Sequence, residues 1–208
     1  MVRLPYTFIP GLVSQHFLAE HTKIWDGFVT MLQKAEAGLR APQDLRESSI
    51  ASPEAVLKIL HDTQTFALNG ALLHKLYFEN IAPLRGDQTS TPSPELLEAI
   101  DKCCAVGGAI GDQLLGASMV SQNGWGLLAV DSTDASLRVT SIKGDDDVAT
   151  LRQTPLVVLD CWEHAYWGDW GVDRAGYLRE AIGRLRWDVA SDRYAKALAS
   201  FKAQVPPT

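Results

Sequence analysis

Asp160 and His164 are the residues whose types and spacing most directly suggest chemistry. They lie four positions apart in Asp-Cys-Trp-Glu-His, directly after the apolar run 156–159, which is predicted to form a buried strand. The end of such a strand is where mixed α/β frameworks present functional groups. A carboxylate oxygen and an imidazole nitrogen can both bind one borderline metal ion. The alternative is that Asp160 caps the following helix while His164 simply packs nearby.

His74 is a second candidate metal ligand because it interrupts a very apolar stretch. It lies between Leu72-Leu73 and Leu76-Tyr77-Phe78, within a predicted helix whose apolar residues cover most of its circumference. Such a helix should be largely buried, so its histidine needs a partner. That partner is either a metal ion or, in the alternative, a backbone carbonyl that accepts a hydrogen bond from the ring.

Glu20 is a third candidate, because it shares a helical face with apolar residues. Phe17 precedes it, and Ile24 and Phe28 follow it, at helical spacing. A buried carboxylate without a partner is costly, so a metal cation would explain its place. The alternative is that Glu20 lies at the margin of this face and pairs with Lys23, three positions later.

The elements that must position these residues change in character along the chain. The first half is predicted to be helical: about 14–38, a short helix opening at Ser52-Pro53, and a long helix at about 63–80. After a Ser/Pro-rich linker come helices at about 94–118, and then strand-like runs. These strands (125–130, 137–141, 156–159) and two further helical patterns (174–185, 191–201) complete the chain.

The predicted fold class is therefore α+β, with a long N-terminal helical hairpin followed by a C-terminal α/β domain that holds a small three-stranded antiparallel sheet. We place the helical hairpin domain at 1–84, the linker at 85–95 and the second domain at 96–208.

Composition excludes several classes of protein. The 208 residues carry a net charge of -6, which leaves no excess of cations to neutralise nucleic-acid phosphates. No stretch is long and apolar enough to span a bilayer, and the N-terminus does not resemble a signal peptide. Three cysteines, two of them adjacent, predict no disulfide framework and favour a cytoplasmic protein.

The run Asp160-Cys-Trp-Glu-His164-Ala-Tyr resembles the Asp-x-Trp-Glu-His-Ala-Tyr signature of the iron/manganese superoxide dismutases. Further segments resemble the family in the same order along the chain: Leu4-Pro5-Tyr6, His21-Thr22-Lys23, Asn123-Gly124-Trp125, Arg174-Ala175-Gly176-Tyr177-Leu178 and Arg186-Trp187-Asp188. The resemblance implies a helical hairpin and an α/β domain with one metal between them.

The resemblance also implies a ligand set. The family binds its metal through His, His, Asp and His, and the last three positions correspond to His74, Asp160 and His164. The alignment places Glu20 at the first position. A one-residue slip would offer His21 instead, but it turns the side chain by about 100° around the helix, so Glu20 is the preferred ligand. The implied cofactor is one Fe or Mn ion per subunit, with Zn possible.

Several positions near the implied site depart from the family pattern. Phe28 stands where the family has a Tyr, Ile24 where it has a His, and Trp167 where it has a second Tyr. The outer Gln of the family comes from one of two places, which here hold Gly70 and, by a looser alignment, Asp145.

Other positions are retained, namely Trp125, Trp162 and Glu163. In the family the counterpart of Glu163 reaches the metal-binding His of a second subunit. The resemblance therefore implies a homodimer that meets through Ile24, Glu163 and Trp167. We expect the catalytic surroundings of the metal to be formed by these residues: Glu20, Phe28, Trp125, Trp162 and Glu163.

Three functions are consistent with this pattern. The first is superoxide disproportionation at a mononuclear site. The second is a repurposed metalloenzyme that acts on an apolar or aromatic small molecule as a lyase, oxygenase or hydrolase, with Glu20 as ligand or general base. The apolar Phe28, Ile24 and Trp167 favour this alternative, because none can exchange a proton. The third is a non-catalytic relative, which leaves the retained ligands unexplained.

Overall fold

A computed structural model describes residues 3–41, 52–83, 90–105, 107–145 and 152–204. Two long helices come first: α1 (Gln15–Arg40) and α2 (Pro53–Ile81). They pack against each other as an antiparallel hairpin. Ser14 caps α1, since its side chain accepts a hydrogen bond from the backbone N–H of Phe17 at 3.3 Å. Ser52 caps α2 in the same way, with proline at the next position.

The short helix and the long helix predicted between residues 53 and 80 are one continuous helix, α2. The prediction of two helices was wrong because nothing in the sequence interrupts the backbone between them. The first glycine of α2 is Gly70, and its only proline is at the first position. An ion pair between Lys58 and Asp62, one helical turn apart, spans the expected break.

The second half of the described chain contains the remaining helices and the sheet. Its helices are α3 (Pro94–Cys104), α4 (Ile110–Val120), α5 (Glu163–Trp170), α6 (Arg174–Gly183) and α7 (Trp187–Gln204). The strands β1 (Gly124–Asp131), β2 (Leu137–Lys143) and β3 (Gln153–Asp160) form an antiparallel sheet in the order β2-β1-β3. The α+β fold class with a three-stranded sheet is therefore confirmed.

The core lies between the sheet and the helices that cover it. Seven of the eight residues of β1 are buried, as are the last five of β3. This burial explains why their sequences are apolar without alternation. The predicted division at 85–95 stays a prediction, because residues 85–89 of that linker lie outside the described residues. Within the described parts of the chain, no helix is both long and apolar enough to cross a membrane.

A buried polar contact fixes α2 against β3. The Asn80 side chain accepts the backbone N–H of Val158 at 3.0 Å and donates to the Leu156 carbonyl at 3.3 Å. Arg193 of α7 also donates to the Asn80 side-chain oxygen at 2.9 Å. Because polar groups inside a core must be paired, this contact sets the position of α2 relative to the strand that ends at Asp160.

Candidate metal centre

Asp160 is the last residue of β3 and lies opposite Trp125 in the sheet. Its side chain is fully buried. Two hydrogen bonds hold the residue: one carboxylate oxygen, Oδ1, accepts the backbone N–H of Trp162 at 2.9 Å, and the backbone carbonyl accepts the Tyr177 hydroxyl at 3.1 Å. The second carboxylate oxygen, Oδ2, is thereby directed toward three histidines.

His164 follows one turn into α5, a helix that begins immediately after the strand end. Its Nε2 lies 3.2 Å from Asp160 Oδ2, and 23% of its side chain is exposed. The spacing of four residues therefore brings both groups to one point, as the sequence predicted.

His74 approaches from α2, where it is completely buried. Its Nδ1 lies 2.7 Å from the Gly70 carbonyl one turn earlier. A carbonyl can only accept, so Nδ1 carries the proton and Nε2 presents a lone pair. That Nε2 has no hydrogen-bond partner among the described residues and lies 3.8 Å from Asp160 Oδ2.

His21 completes the cluster from α1. It is 1% exposed, and its Nε2 lies 3.1 Å from Asp160 Oδ2. Its other ring nitrogen, Nδ1, is buried without a partner among the described residues. The ligand atoms of His21, His74, Asp160 and His164 all lie within 4.8 Å of one another.

Glu20 does not join this cluster, so the sequence-based choice of Glu20 over His21 was wrong. The Glu20 side chain is 47% exposed and accepts a hydrogen bond from Lys23 at 2.6 Å. Lys23 accordingly lowers the pKa of Glu20. The alternative that pairs Glu20 with Lys23 describes this residue correctly.

The buried face of α1 explains the error. Its buried residues are Leu18, His21, Phe28 and Ala35, at spacings of three and seven. Phe17, which helped to define the expected face through Glu20, is only half-buried. The overlooked signal is the helical spacing of Leu18, His21, Phe28 and Ala35, which places His21 on the face that meets α2.

The charges within the cluster suit a cation. Burial alone would raise the pKa of Asp160, but His164 and His21 outweigh it and hold that pKa well below its usual range. Burial lowers the pKa of His74 to about 3, and it lowers the pKa of His21 as well. For His164, burial is outweighed by Asp160, and the pKa is raised.

The pair formed by His74 Nε2 and Asp160 Oδ2 tests whether a metal fits. Both atoms are hydrogen-bond acceptors, both are buried, and they face each other at 3.8 Å. Two lone pairs in this arrangement repel unless a positive charge lies near both. Three imidazoles and one carboxylate are also donors that first-row metal ions accept. These residues therefore fit a single metal ion.

Apolar and aromatic groups surround the cluster. The Phe28 ring lies 5.2 Å from the His74 ring between centroids, and it occupies the space that a side chain at position 70 would need. A Cβ on Gly70 would approach Phe28 Cδ1 to 2.3 Å. Trp125 meets His74 edge to face at 4.9 Å, while Trp162 stacks on His164 at 5.8 Å. The retained tryptophans thus lie where they exclude water from the histidines.

The residues expected at a subunit interface lie on the outside. Glu163, at the first position of α5, is exposed, and Trp167, one turn later, is 52% exposed. Ile24 is half-buried on α1. Glu163 adjoins His164 in the chain, so this surface borders the metal cluster.

Asp145 was singled out only by a loose alignment, yet it lies at the same site. It is 3% exposed, and its Oδ1 accepts the indole N–H of Trp125 at 2.9 Å. It is also one of the negative charges that raise the pKa of His164.

Comparison with known proteins agrees with this geometry. Residues 92–193 match the family model described as iron/manganese superoxide dismutases, C-terminal domain. A superoxide dismutase [Mn] of Haloarcula marismortui is 29% identical over 203 residues, covering 96% of this chain and 95% of the relative.

Two further relatives cover nearly the whole chain. A superoxide dismutase [Fe] of Aquifex aeolicus is 27% identical over 92% of this chain and 86% of its own length. A superoxide dismutase [Mn/Fe] of Aeropyrum pernix is 26% identical over 96% of this chain and 92% of its own length. Together with the four clustered side chains and the α+β fold, these similarities lead to one conclusion: the chain belongs to the iron/manganese superoxide dismutase family.

Proposed function

We propose that this protein disproportionates superoxide at one Fe or Mn ion held by His21, His74, Asp160 and His164. The observation that carries the proposal is the buried lone pair of His74 Nε2, which faces Asp160 Oδ2 at 3.8 Å without a hydrogen-bond partner among the described residues. The names of the relatives, which include Mn, Fe and Mn/Fe superoxide dismutases, support the choice of metal and reaction.

The residues of the chain prepare the site in three ways. Their low pKa values keep His21 and His74 neutral at pH 7, so both can offer a lone pair. Asp160 supplies one negative charge, and its backbone contacts hold it in place. Phe28 and Trp125 surround His74 with aromatic rings and keep bulk water away from it.

When bound, the metal would supply the one-electron change that oxidises one superoxide to oxygen and reduces a second to peroxide. The two protons in hydrogen peroxide must come from solvent or from groups other than Phe28, which has none to give. Disproportionation therefore needs only superoxide and protons, with no organic substrate.

The alternative reaction on an organic substrate is weaker than the sequence suggested. That hypothesis gave Glu20 the role of ligand or general base, but Glu20 is exposed and paired with Lys23. Phe28 still offers an apolar wall, but it touches His74 rather than an open cleft.

Metal analysis and kinetics test the proposal. We expect purified protein to hold close to one Fe or Mn per chain, and protein reconstituted with Fe or Mn to accelerate superoxide decay. The His74→Ala variant should lose both properties, whereas Glu20→Ala, the matched control on an exposed carboxylate, should keep them. Bound metal with decay no faster than in His74→Ala would overturn the proposed reaction and favour the organic substrate.

We also propose a homodimer that meets through Ile24, Glu163 and Trp167. A tryptophan that is 52% exposed beside the metal cluster supports an interface there, because tryptophan is enriched in protein–protein interfaces. Sedimentation should give a dimer for the wild type and a monomer for Trp167→Asp. The matched variant Val172→Asp alters another exposed apolar residue and should remain dimeric. A wild-type monomer would refute this interface.

Cys103, Cys104 and Cys161 are free thiols. Cysteines without disulfide partners are usual in proteins of reducing compartments, and we propose the cytoplasm.

A further inference from the structure

Cys103 and Cys104 are neighbours in the chain and form the last two residues of α3. Both side chains are half-buried, whereas the third cysteine, Cys161, is completely buried. None of the three belongs to the metal cluster. The protein therefore presents two adjacent thiols near its surface and keeps one thiol in its core.

The two thiols on α3 interact with each other. The Cys104 thiol forms a hydrogen bond with the Cys103 sulfur, which brings the two sulfurs within reach of one another. Cys161 instead donates its thiol to the Leu159 carbonyl at 3.5 Å. Two neighbouring thiols can be joined as a disulfide when one is oxidised to a sulfenic acid and the other condenses with it.

Only one of the two sulfurs faces a cleft. Cys103 lines a cleft of about 580 Å³ between α3, α7 and the turn that joins β1 to β2, and Cys104 is not among the described residues that line it. Polar side chains, among them Lys102 and Tyr194, form part of its walls. A small polar oxidant therefore reaches Cys103 before Cys104.

The surroundings of the pair also favour Cys103 as the sulfur that reacts first. Burial raises the pKa of Cys103, while the hydrogen bond from Cys104 and the charge of Arg138 oppose the rise. Burial also raises the pKa of Cys104, and there Cys103 and Asp101 add to the rise. Because the thiolate is the reactive form of cysteine, Cys103 is the better nucleophile of the two.

We propose that Cys103 and Cys104 form a redox pair, which hydrogen peroxide oxidises to a reversible disulfide. The Cys103 sulfur attacks one peroxide oxygen, the O–O bond breaks, and a sulfenic acid and one water form. The Cys104 sulfur then displaces the hydroxyl group from Cys103, which makes the S–S bond and releases a second water. Two thiols and one peroxide thus give one disulfide and two waters, and the peroxide takes up the two electrons that the sulfurs lose.

The inference rests on the proposed function in one respect. Hydrogen peroxide is the product that superoxide disproportionation releases, so the protein would generate the oxidant of its own thiol pair. The chemistry of the pair itself needs only peroxide, from whatever source.

The position at the end of α3 makes the disulfide both possible and easily reduced. Cα atoms on either side of a trans peptide bond are about 3.8 Å apart, which is less than the roughly 4.4–6.8 Å usual for a disulfide. The bond is therefore strained and requires the last turn of α3 to rearrange. A helix end unfolds at little cost, and a strained disulfide is readily reduced. A reducing compartment would return the pair to thiols.

Counting thiols tests the proposal on the wild-type protein. The protein is treated with excess hydrogen peroxide, catalase removes the remainder, and the thiols are titrated after unfolding. We expect three thiols before treatment and only Cys161 afterwards, with all three restored by dithiothreitol. Three thiols after treatment would overturn the proposal. A loss that dithiothreitol does not reverse, or a disulfide between two chains on a non-reducing gel, would do the same.

Two matched variants test the order of the two steps. Cys104→Ser lacks the second thiol, so peroxide should leave a sulfenic acid on Cys103, which dimedone traps and mass spectrometry detects. Cys103→Ser should give at least about tenfold less adduct, because Cys104 lies outside the cleft and has the less available thiolate. Equal amounts of adduct in the two variants would overturn the assignment of Cys103 as the sulfur that reacts first.

Added peroxide makes these measurements independent of the metal. Protein that binds neither Fe nor Mn and still forms the reversible disulfide would overturn the proposed function and support the redox pair. Metal-loaded protein that disproportionates superoxide, but keeps three thiols after peroxide treatment, would overturn the redox pair alone.

Discussion

The two sides of the metal cluster are held in different ways. The strand side consists of Asp160 and His164, at the junction of β3 and α5. The helix side consists of His21 on α1 and His74 on α2. Asp160 is held by the Trp162 N–H and the Tyr177 hydroxyl. His74 has one anchoring bond, to the Gly70 carbonyl of its own helix, and the Nδ1 of His21 has none among the described residues.

This difference shows which ligand side chains are held in position without the metal and which depend on the metal for a partner. Asp160 keeps its orientation through contacts that need no cation. The two helix-side histidines are linked to the strand side mainly through Asp160 Oδ2, at 3.1 Å and 3.8 Å. A bound ion would therefore stabilise the helix side more than the strand side, because there it would replace missing partners.

Asp160→Asn should have the largest effect of any change at the cluster. It removes the only negative charge among the four ligands and the oxygen toward which all three histidines point. Since loss of a partner outside the ligand set already costs about 10- to 100-fold, we expect metal affinity to fall by more than about 100-fold. Metal content and chelator competition measure this. Asp192→Asn, exposed on α7, is the control, and wild-type metal content in Asp160→Asn would contradict the arrangement.

His21→Ala and Glu20→Ala test the helix side at adjacent positions. His21 is buried in the cluster and Glu20 is exposed, so the first variant removes a ligand and should lower metal affinity by at least the roughly 10- to 100-fold that loss of a partner outside the ligand set costs. The second should bind metal as the wild type does. Competition with a chelator gives both values. The opposite result, in which Glu20→Ala loses metal and His21→Ala keeps it, would restore the ligand set expected from sequence.

The pH dependence of the metal-free protein should distinguish the two sides. Burial lowers the pKa of His74 from 6.5 to about 3 and also lowers that of His21. The unfolded chain then binds more protons below pH 6.5, so stability is lost as the pH falls from 6.5 toward 3. His74 alone should cost about 2 kcal/mol between pH 7 and pH 5, because its imidazole takes up a proton in the unfolded chain and not in the folded one.

His164 on the strand side should act with the opposite sign. Its pKa is raised despite burial, because of Asp160, so its contribution is present at low pH and is lost as the pH rises through the folded pKa. Urea unfolding at pH 7 and pH 5 measures the free energy of unfolding, in which the contributions of these histidines add up. His74→Gln should flatten the decline at low pH, and an equally steep decline in that variant would show that His74 is not its source.

Tyr177→Phe should have the smallest of these effects. It removes the donor to the Asp160 carbonyl and the partner of the Tyr77 hydroxyl, at 3.1 Å and 2.9 Å. Unsatisfied buried polar groups cost about 1–3 kcal/mol, which urea unfolding would detect. Metal affinity should change little, because the Trp162 N–H still orients the carboxylate. Tyr194→Phe on α7 is the control, and a large loss of metal in Tyr177→Phe would show that the strand side depends on this one bond.

Local sequence patterns were sufficient for much of the fold. The serines at 14, 52 and 93 each cap the helix that was expected to start there. The three strand-like runs all form strands, and the predicted ends differ from the observed ones by about three residues at most. The continuity of α2 was missed: two helices were predicted there, the second beginning at about 63, whereas the polar residues at 61–65 lie inside one continuous helix.

The sequence by itself determined the strand side of the site. Asp160 and His164 are separated by one strand end and one helical turn, so local geometry alone brings them together. It also determined that His74 lies buried in α2, since the residues around it are apolar. These features depend on neighbours in the chain, which a sequence displays directly.

Only the tertiary structure decided between His21 and Glu20, and only it showed that Asp145, suggested by a loose alignment, lies beside the cluster. Neighbouring positions on a helix differ by about 100°, and both faces of α1 carry apolar residues. The choice depends on how α1 packs against α2 and on where β3 ends. Asp145 reaches the site through contacts with Trp125 and Asn69, which are 20 and 76 positions away in the chain.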